Sequence, residues 1–381
     1  MTEHQITTAV LMGIAALGLL YLTMMTIVVA LKGRPRGARA PAVLPPISVL
    51  KPLCGDEPHL YDNLKSYCTQ DYPNFQVVFG VREAGDPAIA VVRRLIAEMP
   101  ERDLALVIDG RVIGRNYKVS NLANMIGIAK HSLIIMADSD TRVAPDYLRA
   151  VATAFELKSV GAVTCLYRGT VGEGRASSLG ALYLNDWYMS SVVLASTIGG
   201  LKPCFGQTMA IRRDVLDKVG GLDALKDHVA DDYMLGELVK QAGHDIAIAP
   251  TMIDNVVCEA DLATLFRHEL RWARTLRAVR PLLYPLTLIT DALPLSLIAF
   301  VASALAAEAG LLFLAAGILR VLHHSVVSWR FGGDAPYRPW LIPYRDLITM
   351  AVRLASLGGK GILWRGHRFT LKPSGQMMAL D

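Results

Sequence analysis

Charge is scarce in this chain. Only 19% of its 381 residues are Asp, Glu, Lys or Arg, where soluble domains carry about 25%. The deficit is matched by 52% hydrophobic residues and a mean hydropathy of +0.35, which places part of the chain in a bilayer. Charge of one sign is also lacking: 39 basic and 34 acidic residues leave +5, too mild for a nucleic-acid partner but suited to a membrane surface. Cysteines are few and odd in number. Cys54, Cys68, Cys165, Cys204 and Cys258 contain no C-x-x-C pair, so they read as reduced, mostly buried thiols facing a cytosol. The nine histidines form no ligand cluster and no H-E-x-x-H occurs, which argues against a zinc enzyme. Neither Gly199-Gly200 nor Gly220-Gly221 fits a Walker or dinucleotide pattern, and the lack of repeats and low-complexity runs excludes a fibrous or mainly disordered chain.

Long apolar runs are what the chain does have. Thr7 to Leu31 carries no charge, and about 25 residues rising 1.5 Å each cross a roughly 30 Å hydrocarbon core. Glu3 precedes the run and Lys32, Arg34, Arg36 and Arg39 follow it. That order opposes a cleaved signal peptide and puts the N-terminus outside and the remainder in the cytoplasm. Residues 1–40 are therefore expected to form a membrane anchor with a basic flank. After a linker from Pro41 to Pro46, residues 41–262 are expected to form a soluble domain. Apolar strands at Ile47–Leu50, Phe75–Val81, Leu104–Ile108 and His131–Met136 alternate with helices at Pro58–Cys68, Pro87–Glu98 and Tyr117–Ala129. The alternation predicts an α/β fold with a mostly parallel sheet flanked by helices, binding its ligand at the carboxyl edge. Residues 263–282 predict an amphipathic interfacial helix. Residues 283–381 predict a membrane hairpin, Leu286–Ala306 and Ala307–Val327, with Asp291 and Pro294 interrupting its first arm. Leu341–Leu363 contains Arg345, Asp346 and Arg353, which favours an interfacial or re-entrant element.

Three groups of residues carry chemistry. Asp138-Ser139-Asp140 directly follows an apolar strand, so both carboxylates can address one Mg²⁺ or Mn²⁺ at the sheet edge; an Asx-turn after a strand has the same appearance. Such an ion neutralises a departing diphosphate. Asp231-Asp232 opens a helix, where one acid suffices to stabilise the dipole and the second is available to take a proton from a hydroxyl. Arg267, Arg271 and Arg274 share a helix face in Arg267-His268-Glu269-Leu270-Arg271-Trp272-Ala273-Arg274, with Arg277 and Arg280 beyond. The face suits anionic lipid, and Arg271 with His268 suits a diphosphate, because arginine offers phosphate a planar fork of donors. Asp86 stands where a strand turns into a helix, as an N-cap or a ligand contact. Lys51 follows the first strand, where it meets a nucleotide or is simply solvated.

These pieces, in order, resemble the ceramide glucosyltransferases, membrane members of the inverting GT-A glycosyltransferases. The resemblance rests on Val49-Leu50-Lys51-Pro52-Leu53-Cys54-Gly55, Gly85-Asp86-Pro87-Ala88-Ile89, Asp138-Ser139-Asp140, Asp231-Asp232-Tyr233 and Arg271-Trp272. Pro343-Tyr344-Arg345-Asp346-Leu347 and Trp364-Arg365-Gly366-His367-Arg368-Phe369 extend it. The pattern at His268-Glu269-Leu270-Arg271-Trp272 is closer still to the bacterial hopanoid-associated glycosyltransferases, which add an N-acetylhexosamine to a hopanoid polyol. The resemblance implies that Asp86 contacts uridine, with Lys51 beside the donor, and that Asp138 and Asp140 bind metal and diphosphate. It also implies that Asp232 is the general base, paired with Asp231, and that His268, Arg271 and Trp272 clamp the diphosphate or acceptor. His268 stands where the family normally has Gln or Arg. The function so implied is transfer of N-acetylglucosamine or glucose from a UDP-sugar to a hopanoid polyol or ceramide, with inversion, on the cytoplasmic face of a bacterial inner membrane. A ceramide glucosyltransferase proper, a processive polysaccharide synthase, a non-catalytic nucleotide-sugar-binding protein and a transporter are the alternatives. About three apolar segments are too few for a synthase channel, and a long soluble stretch opposes a transporter.

Overall fold

The computed structural model describes residues 2–33, 43–199, 204–332, 337–364 and 366–379; the basic flank Arg34, Arg36 and Arg39, Pro41 of the linker and Arg365 lie outside them. Eight strands build the central sheet: β1 Ile47–Pro52, β2 Phe75–Val81, β3 Asp103–Ile108, β4 Leu133–Met136, β5 Thr141–Arg142, β6 Val160–Val171, β7 Met209–Arg212 and β8 Asp245–Val257, in the order β3-β2-β1-β4-β7-β6-β8-β5. β1 lies parallel between β2 and β4, with Ile47 opposite both Phe75 and Leu133. β7 and β5 run against their neighbours while β6 and β8 pair parallel, so the sheet is mostly parallel as expected. β1, β2 and β4 are buried at every position, which is why their sequences are mostly apolar rather than alternating, with Ser48, Lys51 and Gln76 as the buried polar exceptions.

The expected helices form at Leu60–Cys68, Ala88–Glu98 and Tyr117–Met125. Asn116 starts the last of these by accepting the Val119 N–H at 3.0 Å, an N-cap that fixes where the helix leaves the sheet edge. The C-terminal residues form a small antiparallel sheet of β9 Gly361–Trp364, β10 His367–Leu371 and β11 Met377–Ala379. It docks on the loop before Asp231, where Val229 N–H donates to Gly375 O (3.1 Å) and Met377 N–H to Asp227 O (2.8 Å).

Two helices, Glu3–Lys32 and Ala307–Phe331, are long and apolar enough to cross a membrane. The expected Leu286–Ala306 arm is broken: a 3₁₀ turn, Tyr284–Thr290, meets the helix Ala292–Ala302 at 68°, and the pair counts as a third span only if the two pieces cross together. The break falls at Asp291, which is fully buried and accepts from Arg353 Nη1 at 2.5 Å. Arg353 belongs to the helix Ile342–Leu357, whose pattern is inside out. Arg345, Asp346 and Thr349 are buried while Tyr344, Leu347 and Leu354 are exposed. Ala307–Phe331 repeats this arrangement, with Arg320, His323 and His324 inward and Leu311, Leu314 and Ile318 outward. Apolar side chains outward and paired polar groups inward is the arrangement that a hydrocarbon surrounding favours. A helical stretch within the sheet domain, Ser177–Tyr183, Leu184–Met189 and Ser190–Thr197, packs along the first span, and Tyr21 Oη donates to Ser191 Oγ at 3.0 Å. Its central turn is π-helical.

Candidate active site

β4 ends opposite Leu50, two residues before β1 does, and Ala137 N–H donates to Leu50 O at 3.1 Å, so the chain turns at the carboxyl edge into Asp138-Ser139-Asp140. β8 holds the far side of this turn: Val256 N–H donates to Asp140 O at 2.8 Å. Asp140 is exposed at one side but crowded at the other. Loss of water and the nearby Asp138 and Glu57 carboxylates push it up to about 6, against a hydrogen bond from Asn255 and the charge of Lys51.

The second acidic pair converges on the same edge. Asp231 and Asp232 lie in the first turn of the helix Asp231–Gln241, with Ala230 at its N-cap position. Lys118 bridges the two motifs, with Nζ 2.7 Å from Asp138 Oδ1 and 3.2 Å from Asp231 Oδ2. Burial works against its charge, yet Asp138 and Asp231 outweigh it and hold the ammonium above its ordinary range. Asp232 accepts from the Gly206 N–H at 3.0 Å and from the Tyr233 N–H at 2.7 Å. Burial and the Asp231 charge push its carboxyl up to about 6, against Lys118 and these two N–H groups. Gly206 has no room for a side chain: a Cβ there would stand 2.9 Å from Asp138 Oδ2 and 3.2 Å from Lys118 Nζ. Tyr167, Tyr188 and Phe205 form an aromatic cluster beside Asp232, with centroids 5.6 to 6.2 Å apart. Both tyrosine hydroxyls are raised, first by burial and then by neighbours that include Asp232.

Lys118 and Gly206 are absent from the residues singled out by sequence. A lone lysine in a helical first turn and a lone glycine have no pattern; the one local signal is Asn116, which caps the helix and donates through Nδ2 to His228 O at 2.7 Å. That bond ties the Lys118 helix to the loop leading to Asp231.

Asp86 lies at a neighbouring corner of the sheet edge, half-buried. Its two oxygens accept the Gly55 N–H at 3.1 and 2.9 Å, and Oδ1 accepts the Ala88 N–H at 2.9 Å. It thus joins the loop after β1 to the start of the Ala88–Glu98 helix. Gly55 takes φ +82°, which favours glycine at this turn. Lys51 corrects the expectation of a solvated or ligand-facing side chain, because it is fully buried beneath the turn. Its Nζ donates to Asp138 O and to Thr141 Oγ1 (3.2 Å) and stands 3.9 Å from the Tyr67 ring centre. Burial pulls it down to about 7 against the opposing charges of Asp138 and Asp140. Lys51 therefore supports the turn from below.

The His268–Trp272 motif lies on the helix Leu262–Val279. His268 Nδ1 is 2.7 Å from Glu259 Oε1 and its ring is 4.3 Å from Trp272. Glu259 stands two residues beyond β8, the strand that steadies Asp140, so the motif is moored to the strand that supports the D-x-D turn. Of the expected basic face, Arg267 is exposed and Arg271 half-buried, while Arg274 and the arginines beyond it turn to the C-terminal segment or to Tyr233. Arg274 donates to Gly361 O (2.6 Å) and Gly358 O (3.1 Å), Arg277 donates to Leu357 O and Gly359 O, and Arg280 stacks 5.3 Å from the Tyr233 ring. Glu269 makes a buried two-pronged pair with Arg345 at 2.8 and 2.7 Å.

The acidic edge fits a divalent cation shared with a substrate. Asp138 and Asp140 supply hard oxygen donors, loss of water and then the Asp138 and Glu57 charges raise Asp140, and among the described residues no third His, Cys, Asp or Glu completes a closed cation site. Mg²⁺ and Mn²⁺ bind in that way, on one or two carboxylates with phosphate oxygens completing the shell.

Comparison with known proteins agrees with this architecture. Ceramide glucosyltransferase 1 of Caenorhabditis elegans is 23% identical over 350 residues, covering 88% of this chain and 73% of that protein. An N-acetylglucosaminyltransferase of Rhizobium meliloti is 26% identical over 250 residues, covering 61% of this chain and 56% of its own length. A mannosyltransferase from Pyrobaculum calidifontis, solved with GDP-Man and Mn²⁺, superposes with a TM-score of 0.56 at 22% identity, covering 91% of this chain and 97% of that one. Residues 10–377 match Glycosyl transferase family 21, and with a match over nearly its whole length the chain belongs to that family, as a glycosyltransferase of GT-A architecture.

Proposed function

We propose that this glycosyltransferase moves N-acetylglucosamine or glucose from a UDP-sugar to a hydroxyl of a membrane lipid, a hopanoid polyol or a ceramide, on the cytoplasmic face of a bacterial inner membrane. The observation that carries this reading is the convergence of Asp138, Asp231, Asp232 and Lys118 on one sheet edge in a chain whose helices Glu3–Lys32, Ala307–Phe331 and Ile342–Leu357 turn apolar side chains outward. Asp86 stands where the uridine is bound. Asp138 and Asp140 would hold Mg²⁺ or Mn²⁺, whose charge would offset that of the departing diphosphate. Asp232 takes the proton of the lipid hydroxyl. The Gly206 and Tyr233 N–H groups aim its carboxylate, and a carboxyl raised to about 6 is a stronger base than an exposed aspartate while still ionised at neutral pH. Lys118 spans Asp138 and Asp231, keeping the metal-binding and basic carboxylates in register. His268, Arg271 and Trp272 close the diphosphate side, with Glu259 orienting His268. Inversion follows from single displacement by the deprotonated hydroxyl. The N-acetylglucosaminyltransferase relatives support an amino-sugar donor and the ceramide glucosyltransferase relatives a lipid acceptor.

The test is a transfer assay on detergent-purified full-length protein with Mg²⁺ or Mn²⁺, pairing UDP-glucose and UDP-N-acetylglucosamine with ceramide, bacteriohopanetetrol and diacylglycerol. Product from UDP-N-acetylglucosamine and the hopanoid is the expected result. Product from UDP-glucose and ceramide alone makes this a sphingolipid enzyme. If UDP binds with metal and every pair fails, the acceptor assignment is overturned; if UDP does not bind, the donor site is overturned as well.

A further inference from the structure

A second cleft lies away from the acidic edge, between the sheet domain and the C-terminal half of the Ala307–Phe331 span. Ser178 and Asp186 line it from the domain, His324, Val327 and Phe331 from the span, and Arg338 from the segment that follows. Asp186 is fully buried, with Oδ2 3.2 Å from Arg320 Nη1 and Oδ1 3.2 Å from His324 Nδ1. In the neutral ring, the carboxylate facing Nδ1 holds the imidazole proton on that nitrogen and leaves Nε2 an acceptor. His324 is 95% buried, lines the cleft, and among the described residues its Nε2 has no hydrogen-bond partner. Buried nitrogens in that state are uncommon and mark a missing donor. On the opposite wall Arg338 brings donors, with Nη1 giving one hydrogen bond to Ser178 Oγ at 2.8 Å.

One chemical group answers both walls. A hydroxyl donates to Nε2 and accepts from a guanidinium or a serine, whereas a phosphate has no proton for Nε2 and would approach the Asp186 carboxylate. The surroundings set the depth of the site. Trp329, Tyr337, Trp340 and Tyr344, neighbours of the lining residues in the chain, are all exposed, as aromatic residues are where a protein meets headgroups. The cleft also connects to the chemistry. Asp186 and Tyr188 occupy the same π-helical turn, and Tyr188 packs against Phe205, whose neighbour Gly206 donates to Asp232. π-Turns concentrate at functional sites because they turn successive side chains toward different surroundings.

We propose that this cleft binds the uncharged, hydroxyl-bearing headgroup of a membrane lipid through His324 Nε2, Arg338 and Ser178. It rests on the reading of the chain as a lipid glycosyltransferase and holds the part of the acceptor that is not glycosylated.

The experiment uses the full chain in nanodiscs, with tail-labelled photoactivatable ceramide, bacteriohopanetetrol and phosphatidic acid as probes, alongside acceptor KM and kcat. His324→Phe keeps the ring stacked on Tyr337 and removes the acceptor nitrogen; Ser178→Ala tests the opposite wall without touching the span. Weakening of neutral-lipid capture and a rise in acceptor KM by about five- to tenfold, with kcat and UDP affinity retained, is expected for both variants. Phosphatidic acid captured as strongly as the neutral lipids, and lost in the variants, overturns the assignment to hydroxyls. Neutral-lipid capture and KM unchanged in Ser178→Ala and in folded His324→Phe overturn the site. If no acceptor is glycosylated but neutral-lipid capture still depends on His324, the cleft stands and the transfer reading falls.

Discussion

Asp232 carries the sharpest prediction at the scale of single residues. A base raised to about 6 must lose its proton before it can act, so kcat/KM should climb about tenfold per pH unit below that value and level off above it. A profile measured from pH 5 to pH 8 checks this, and a flat profile removes Asp232 as the titrating base. Asp232→Asn keeps the shape while removing the base, so turnover should fall by about 10²–10⁴ with donor binding preserved, read by isothermal titration of UDP. Gly206→Ala is the complementary probe. Its methyl would press on Asp138 Oδ2 and Lys118 Nζ, so metal-dependent UDP affinity should drop more than tenfold while the protein stays folded. The acidic pairs were legible in sequence because two adjacent carboxylates after a strand or at a helix start exceed what capping needs. Lys118 and Gly206 were not, since their importance is a matter of what faces them: two acids far apart in the chain, one after a strand and one at a helix start, converge on one ammonium.

At the scale of elements, ion pairs hold the membrane-side helices together. Glu269 pairs with Arg345, Asp346 with Arg320 and Asp291 with Arg353, so the helix Ile342–Leu357 is tied on three sides. Glu269→Gln leaves Arg345 buried without its counter-charge and should cost about 3–5 kcal/mol, visible as a lower Tm in detergent. Replacing both residues with methionine should restore most of that loss, because an apolar pair needs no desolvation. Packing between spans gives a second test. A Cβ at Gly18 would stand 2.6 Å from Ile289 O, whereas Gly13 has nothing within 4 Å, so Gly18→Val should lower Tm and Gly13→Val should leave it unchanged. The sequence placed Glu269, Arg345 and Asp346 inside motifs, yet the Glu269–Arg345 pair joins residues 76 apart in the chain, and no local pattern specifies such a partner.

At the scale of the whole molecule, orientation is testable through the exposed thiol of Cys54, which sits in the loop after β1 near Asp86. A membrane-impermeant maleimide should label it in inverted vesicles and spare it in intact spheroplasts; Cys54→Ser provides the control. Labelling in spheroplasts would place the acidic edge outside and exclude a cytoplasmic UDP-sugar as donor.

The sequence alone determined the elements whose cause is local. A charge-free run long enough to span becomes a helix in any hydrocarbon surrounding, and apolar runs separated by amphipathic stretches become a covered, mostly parallel sheet with acids at its carboxyl edge. Tertiary structure decided what depends on a partner. The first span is nearly apolar all round, and contact with Ile289, Ala292, the Ala307–Phe331 helix and the Ser190–Thr197 helix selects the face carrying Ala15, Gly18 and Leu22 for the interior and leaves Leu17 and Leu20 outside. The broken span at Asp291, the inward charges of Ile342–Leu357 and the burial of Lys51 follow the same rule. Each places a charge where local hydropathy alone would put lipid or solvent, and it is held there by an opposite charge or an acceptor supplied from elsewhere in the chain.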